Sequence, residues 1–96
     1  MTERDTETFP CPCCGCLTLP EAPPGTFFIC PVCFWEDDNV QLADSAYAGG
    51  ANRVSLDEAR ASFRAIGAIS EESRHDVRPP NPDERPDRGG SSGGER

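Results

Sequence analysis

Six cysteines stand within 23 residues of this 96-residue chain: Cys11, Cys13, Cys14, Cys16, Cys30 and Cys33. Thiols so dense do one of three things: they pair as disulfides, cycle in a redox motif or ligate a metal. An even cysteine count in a short chain suits a disulfide framework, but the polar Met1–Thr8 has no apolar segment of a secretory signal, and adjacent Cys13-Cys14 fit such a framework poorly. A thioredoxin-like motif needs a βαβ setting, which neither pair has. Metal ligation explains the pattern best. Cys11-Pro12-Cys13-Cys14-Gly15 and Cys30-Pro31-Val32-Cys33 are two Cys-Pro-x-Cys turns separated by fifteen residues. Two intervening residues make a tight turn that points both sulfurs inward, and two such turns complete a tetrahedral S₄ site. Pro12 and Pro31 pre-set φ, and Gly15 permits a left-handed step after the second sulfur.

Cys13 and Cys16 form an overlapping pair in the first cluster. The proline at the second position and the glycine after the fourth favour Cys11 and Cys14 as ligands beside Cys30 and Cys33. Cys13 and Cys16 are then surplus, expected as small, partly buried residues. Zinc is the expected metal, with iron in a rubredoxin-like site as the alternative; against iron stand Phe34, where that fold has glycine, and the short segment between the turns. A closed S₄ site leaves no position for substrate and reads as structural. Other chemistry is not in view. The single histidine, His75, excludes a Ser/His/Asp set outside the tail, and Gly49-Gly50-Ala51-Asn52 lacks the spacing and lysine of a phosphate loop. The chain is therefore expected not to be an enzyme.

The elements that must position the site are few. A strand is expected at Leu17-Thr18-Leu19, a turn at 20–25, the strongest strand at Thr26-Phe27-Phe28-Ile29 and a third strand beginning at Phe34-Trp35. A hairpin between the turns would bring the cysteine pairs face to face. Ser55-Leu56-Asp57-Glu58 is a capping box, and Leu56, Ala59, Phe63 and Ile66 form one apolar stripe, so a helix is predicted over 56–66, ended by Gly67. Residues 36–54 read as a long loop: either a recognition surface or a cover with Trp35 and Tyr47 in the core, with Glu36-Asp37-Asp38 expected as a solvated acidic turn, the alternative being a group that binds a cation or steers a basic partner. After Glu71 the one large apolar residue is Val77, among prolines and a Gly-Ser run, which reads as a disordered tail with His75 solvated. The division is a flexible N-terminus at 1–8, a domain at 9–68 and a tail at 69–96.

Composition fits a stapled domain. Hydrophobic residues are only 35%, too few for a chain this short to hold together on its core alone. Apparent binding free energies of roughly 10–16 kcal/mol for structural zinc would dominate such a core. Nine arginines and no lysine face seventeen acids, for a net charge of −8. That disfavours nucleic acid as partner. No run approaches the roughly 18 apolar residues of a membrane span. Residues 9–68 carry three arginines and seven acids, and four thiolates around Zn²⁺ would add −2, taking the domain from −4 to −6. A basic protein surface is the expected partner, in the cytoplasm.

The sequence resembles the bacterial cysteine-rich CPCC proteins. The likeness rests on Cys11-Pro12-Cys13-Cys14-Gly15, on Ile29 through Asp38, on Tyr47-Ala48-Gly49-Gly50-Ala51-Asn52 and on Ser55 through Arg60, with a weaker match at Val77-Arg78-Pro79-Pro80. Cys16 departs from the family pattern, which strengthens Cys11, Cys14, Cys30 and Cys33 as the ligand set. The resemblance implies a small metal-binding domain of bacterial source and supplies no reaction. The expectation is a small α+β metal-stapled domain: a zinc-ribbon-like hairpin, one packed C-terminal helix and a disordered tail. It would act as a protein-interaction adaptor, the alternatives being an iron electron carrier or a nucleic-acid-associated zinc ribbon.

Overall fold

The computed structural model describes residues 8–85. Met1–Glu7 and 86–96 lie outside them, and with them most of the expected flexible N-terminus and the end of the tail. Strand β1 (Phe9–Pro10) pairs antiparallel with β2 (Leu17–Leu19), with Phe9 opposite Leu19 and an irregularity between Phe9 and Pro10. The hairpin therefore closes around the first cysteine turn, not between the two turns as expected. A second, shorter ladder closes around the other turn through the bridge Ile29–Glu36. The strand predicted at 26–29 shrinks to that bridge, because Phe27 takes φ 62 and breaks the extended backbone. Phe34, at φ 81, likewise ends the strand expected at Phe34-Trp35.

Helix α2 (Leu56–Ile66) has the predicted bounds. Ser55 accepts from the Glu58 N–H while Glu58 accepts from the Ser55 N–H, and Gly67 closes the helix at φ 80. Leu56 and Ala59 of its stripe are buried, and Phe63 packs against the same core as Trp35, Val32 and the cysteines. The segment 36–54 holds a five-residue helix that periodicity could not reveal, α1 (Asn39–Ala43). Its N-cap is Asp38, which accepts from Val40 and Gln41 and also from Ala51 across the loop. Those bonds, the one from Ala51 foremost, hold the Asp38 carboxyl below its ordinary range.

The acidic triplet is thus not a solvated turn. Asp37 is fully buried and accepts from the backbone N–H and hydroxyl of Thr26. Buried Gln41 donates to the carbonyls of Tyr47, Asn52 and Val54 and accepts from Asn52, whose own amide pairs with both backbone groups of Glu36. The loop is a cover around a polar hub. Trp35 is core, whereas Tyr47 is exposed, so only half of the expected aromatic pair lies inside.

The tail expected to be disordered from residue 69 packs in its described part. Ile69 and Ser73 are buried, the Ile69 N–H binds the Cys33 carbonyl, and Arg78 N–H binds that of Pro31. Two 3₁₀ turns follow, Glu72–Asp76 and Pro82–Glu84, the second tied back by a forked Arg78–Glu84 pair that lowers the Glu84 carboxyl. Composition misses this segment because its anchors are backbone bonds and a single isoleucine. Among the described residues no helix is long and apolar enough to cross a membrane.

Candidate metal centre

The sulfurs of Cys11, Cys14, Cys30 and Cys33 all lie within 4.8 Å of one another. Cys11 to Cys33 is 3.6 Å and Cys14 to Cys30 is 3.7 Å, far beyond a disulfide of about 2.05 Å. A tetrahedron with metal–sulfur bonds of about 2.3 Å has edges of about 3.8 Å. Two of the six edges stand close to that value, and the other four lie within 4.8 Å.

Two turns of matching geometry produce this. In the first, the Cys13 N–H binds the Cys11 sulfur, the Cys16 N–H binds the Cys14 sulfur, and Gly15 N–H binds the Cys11 carbonyl. In the second, Val32 binds Cys30, Trp35 binds Cys33, and Phe34 binds the Cys30 carbonyl. Even the closing bonds correspond, Cys11 N–H to Cys16 carbonyl and Cys30 N–H to Trp35 carbonyl. Gly15, at φ 79, and Phe34, at φ 81, make the same left-handed step. Every sulfur thus receives one main-chain N–H from its own turn. Cys30 takes a further bond from the Thr18 hydroxyl at 3.1 Å, a donor that sequence reasoning missed because no periodicity marks it.

The correspondence places the surplus thiols. Cys13 occupies the position of Val32 and Cys16 that of Trp35, and both are buried in the same core. Cys13 and Cys16 supply N–H groups to the sulfurs of Cys11 and Cys14 while their own side chains lie in the core with Val32 and Trp35. Burial pushes the Cys16 thiol up. In the thiol state the four clustered sulfurs compete for protons. Hydrogen bonds from Cys11, and then from Cys14 and Cys33, hold the Cys30 thiol down, with Thr18 adding to the effect. Cys14 and Cys33 are pushed up, each chiefly by its hydrogen bond to Cys11. From α2, Arg60 grips the first turn through two bonds to the Pro12 carbonyl.

The family described as cysteine-rich CPCC matches over residues 9–84, most of the chain and all of the cysteines. The chain belongs to the cysteine-rich CPCC family. No curated protein matches it. The matched span runs through the 3₁₀ turns beyond residue 68, so the CPCC unit includes the packed segment that composition alone assigns to the tail. Of the chemistry-bearing residues, this CPCC domain brings four cysteines together and leaves His75 exposed on the turn Glu72–Asp76.

Proposed function

We propose that this CPCC domain holds one Zn²⁺ on Cys11, Cys14, Cys30 and Cys33 as a structural staple, in a zinc-ribbon-like module. The observation that carries the reading is the sulfur cluster itself: four cysteine sulfurs within 4.8 Å of one another, each already receiving an N–H. Bound there, the metal supplies folding free energy and fixes both turns. Four thiolates complete the coordination, which leaves the protein surface rather than the metal as the functional part. We read the domain as a non-enzymatic protein-interaction adaptor of the bacterial cytoplasm, its acidic surface suited to a basic partner and poorly suited to nucleic acid.

Iron stays as the second reading for a specific reason. Phe34 makes the left-handed step that a glycine would make, so its side chain does not distinguish the metals. Metal analysis of protein purified without chelator decides between them. One zinc per chain and no visible absorption are expected, lost when Cys11, Cys14, Cys30 or Cys33 becomes serine. A red protein with one iron per chain would overturn the assignment.

A further inference from the structure

Beside the second turn lies a cavity of about 580 Å³. Its apolar wall is Ile29, Phe34, Val54 and Ile69, with Ile29 48% exposed although it is a large aliphatic residue flanking the metal turn. The rim carries Glu36, Glu72 and Asp76 against one arginine, Arg53, a local net charge of −2. Arg53 sits 3.5 Å from Glu72 with both ends solvated, a contact weak enough to be exchanged.

Phe34 supplies a separate observation. At φ 81 it holds a conformation that disfavours any side chain, while the matching position of the first turn is glycine. A glycine would make the same turn unstrained, yet an aromatic ring stands there, which both packs against the cysteine core and lines the cavity. Strain of this kind is retained where the side chain has a use.

We propose that this cavity is the docking site for a basic-apolar peptide segment of a partner protein: a Leu, Ile or Phe side chain seated against Ile29, Phe34, Val54 and Ile69, with an adjacent Arg or Lys paired to the acidic rim. The occupant follows from charge complementarity, since the apolar wall selects the aliphatic or aromatic anchor and the surplus of carboxylates selects the cation. The inference rests on the protein-interaction reading above and gives it a place and a ligand chemistry. It also gives the metal a function at a distance. Ile29 and Phe34 flank Cys30 and Cys33, and Ile69 is bonded to Cys33, so the staple holds three of the four apolar contacts in position.

The test is selection of a random heptapeptide phage library on the zinc-loaded full chain, followed by NMR shift mapping and titration of the selected synthetic peptide. Expected are sequences with Arg or Lys beside Leu, Ile or Phe, shifts at Ile29, Phe34 and Val54, and affinity that falls with salt. Glu36→Gln with Asp76→Asn should weaken binding about tenfold. Ile29→Ala, at a half-exposed side chain outside the core, should weaken it at least as much while zinc content and circular dichroism stay as in the parent. Peptides that bind but shift other residues overturn the cavity and leave the interaction reading standing. A selection returning no binder overturns both. Selected acidic peptides, a concentration-dependent dimer that shifts the same residues, or an oligonucleotide that does so, each overturn the stated occupant.

Discussion

The sulfurs of this domain are held by hydrogen bonds as much as by the chain. Each accepts one main-chain N–H, and Cys30 alone among the four also accepts the Thr18 hydroxyl. Donors to a thiolate stabilise its charge, and outer-shell partners of metal ligands carry a measurable share of the affinity. Thr18→Val keeps the side chain's shape and removes that donor, so metal affinity should fall about tenfold in chelator competition. The same sulfurs decide the proton balance. Cys14 and Cys33 are pushed up and Cys30 is held down, so at neutral pH the metal-free cluster retains protons on Cys14 and Cys33 that loading must displace. Metal uptake in weak buffer at pH 7 should therefore release at least two protons, read with an indicator dye, and affinity should rise with pH.

The elements are short because each leans on another. Strands β1 and β2 have two and three residues, and α1 has five, all below the length at which such pieces persist alone. What stabilises α1 is tertiary: Asp38 caps it and reaches Ala51, and Gln41 gathers the carbonyls of Tyr47, Asn52 and Val54. Gly50 is what lets the loop approach. A Cβ there would stand 2.6 Å from the Asp38 carboxylate and 3.0 Å from the Gln41 side chain. Gly50→Ala should cost about 1–3 kcal/mol in denaturant unfolding of the metal-loaded protein, without changing its metal content. Asp38 belongs to the same unit. Its carboxyl lies below the ordinary range in the fold, so its contribution is complete at pH 7 and lost only as pH falls through that lowered value.

At the scale of the molecule, the chain after residue 68 is part of the fold. Ile69 is in the core, and its N–H and that of Arg78 bind the carbonyls of Cys33 and Pro31 in the second cysteine turn. Arg78 then pairs with Glu84, beside β2. Ile69→Ala should cost about 2–4 kcal/mol in the same unfolding measurement, whereas a residue in a disordered tail would cost nothing. A small core makes that contribution large. With so few buried aliphatic residues, one isoleucine is a substantial fraction of the apolar core.

The sequence by itself determined the cysteine turns and α2. Both are written in local spacing: Cys-Pro-x-Cys folds its own turn, and Ser55 with Glu58 caps its own helix. Tertiary structure alone decided which hairpin forms, that Phe34 adopts a glycine-like backbone, that Asp37, Asp38 and Gln41 are buried, and that Ile69 and Ser73 are buried as well. For the buried polar residues the physical reason is shared: each is placed by partners far along the chain, such as Thr26 for Asp37 or Ala51 for Asp38. Local spacing carries no record of such partners. The six cysteines divide along the same line: their spacing announces two paired turns, while the matched geometry of those turns assigns Cys13 and Cys16 to the positions of Val32 and Trp35.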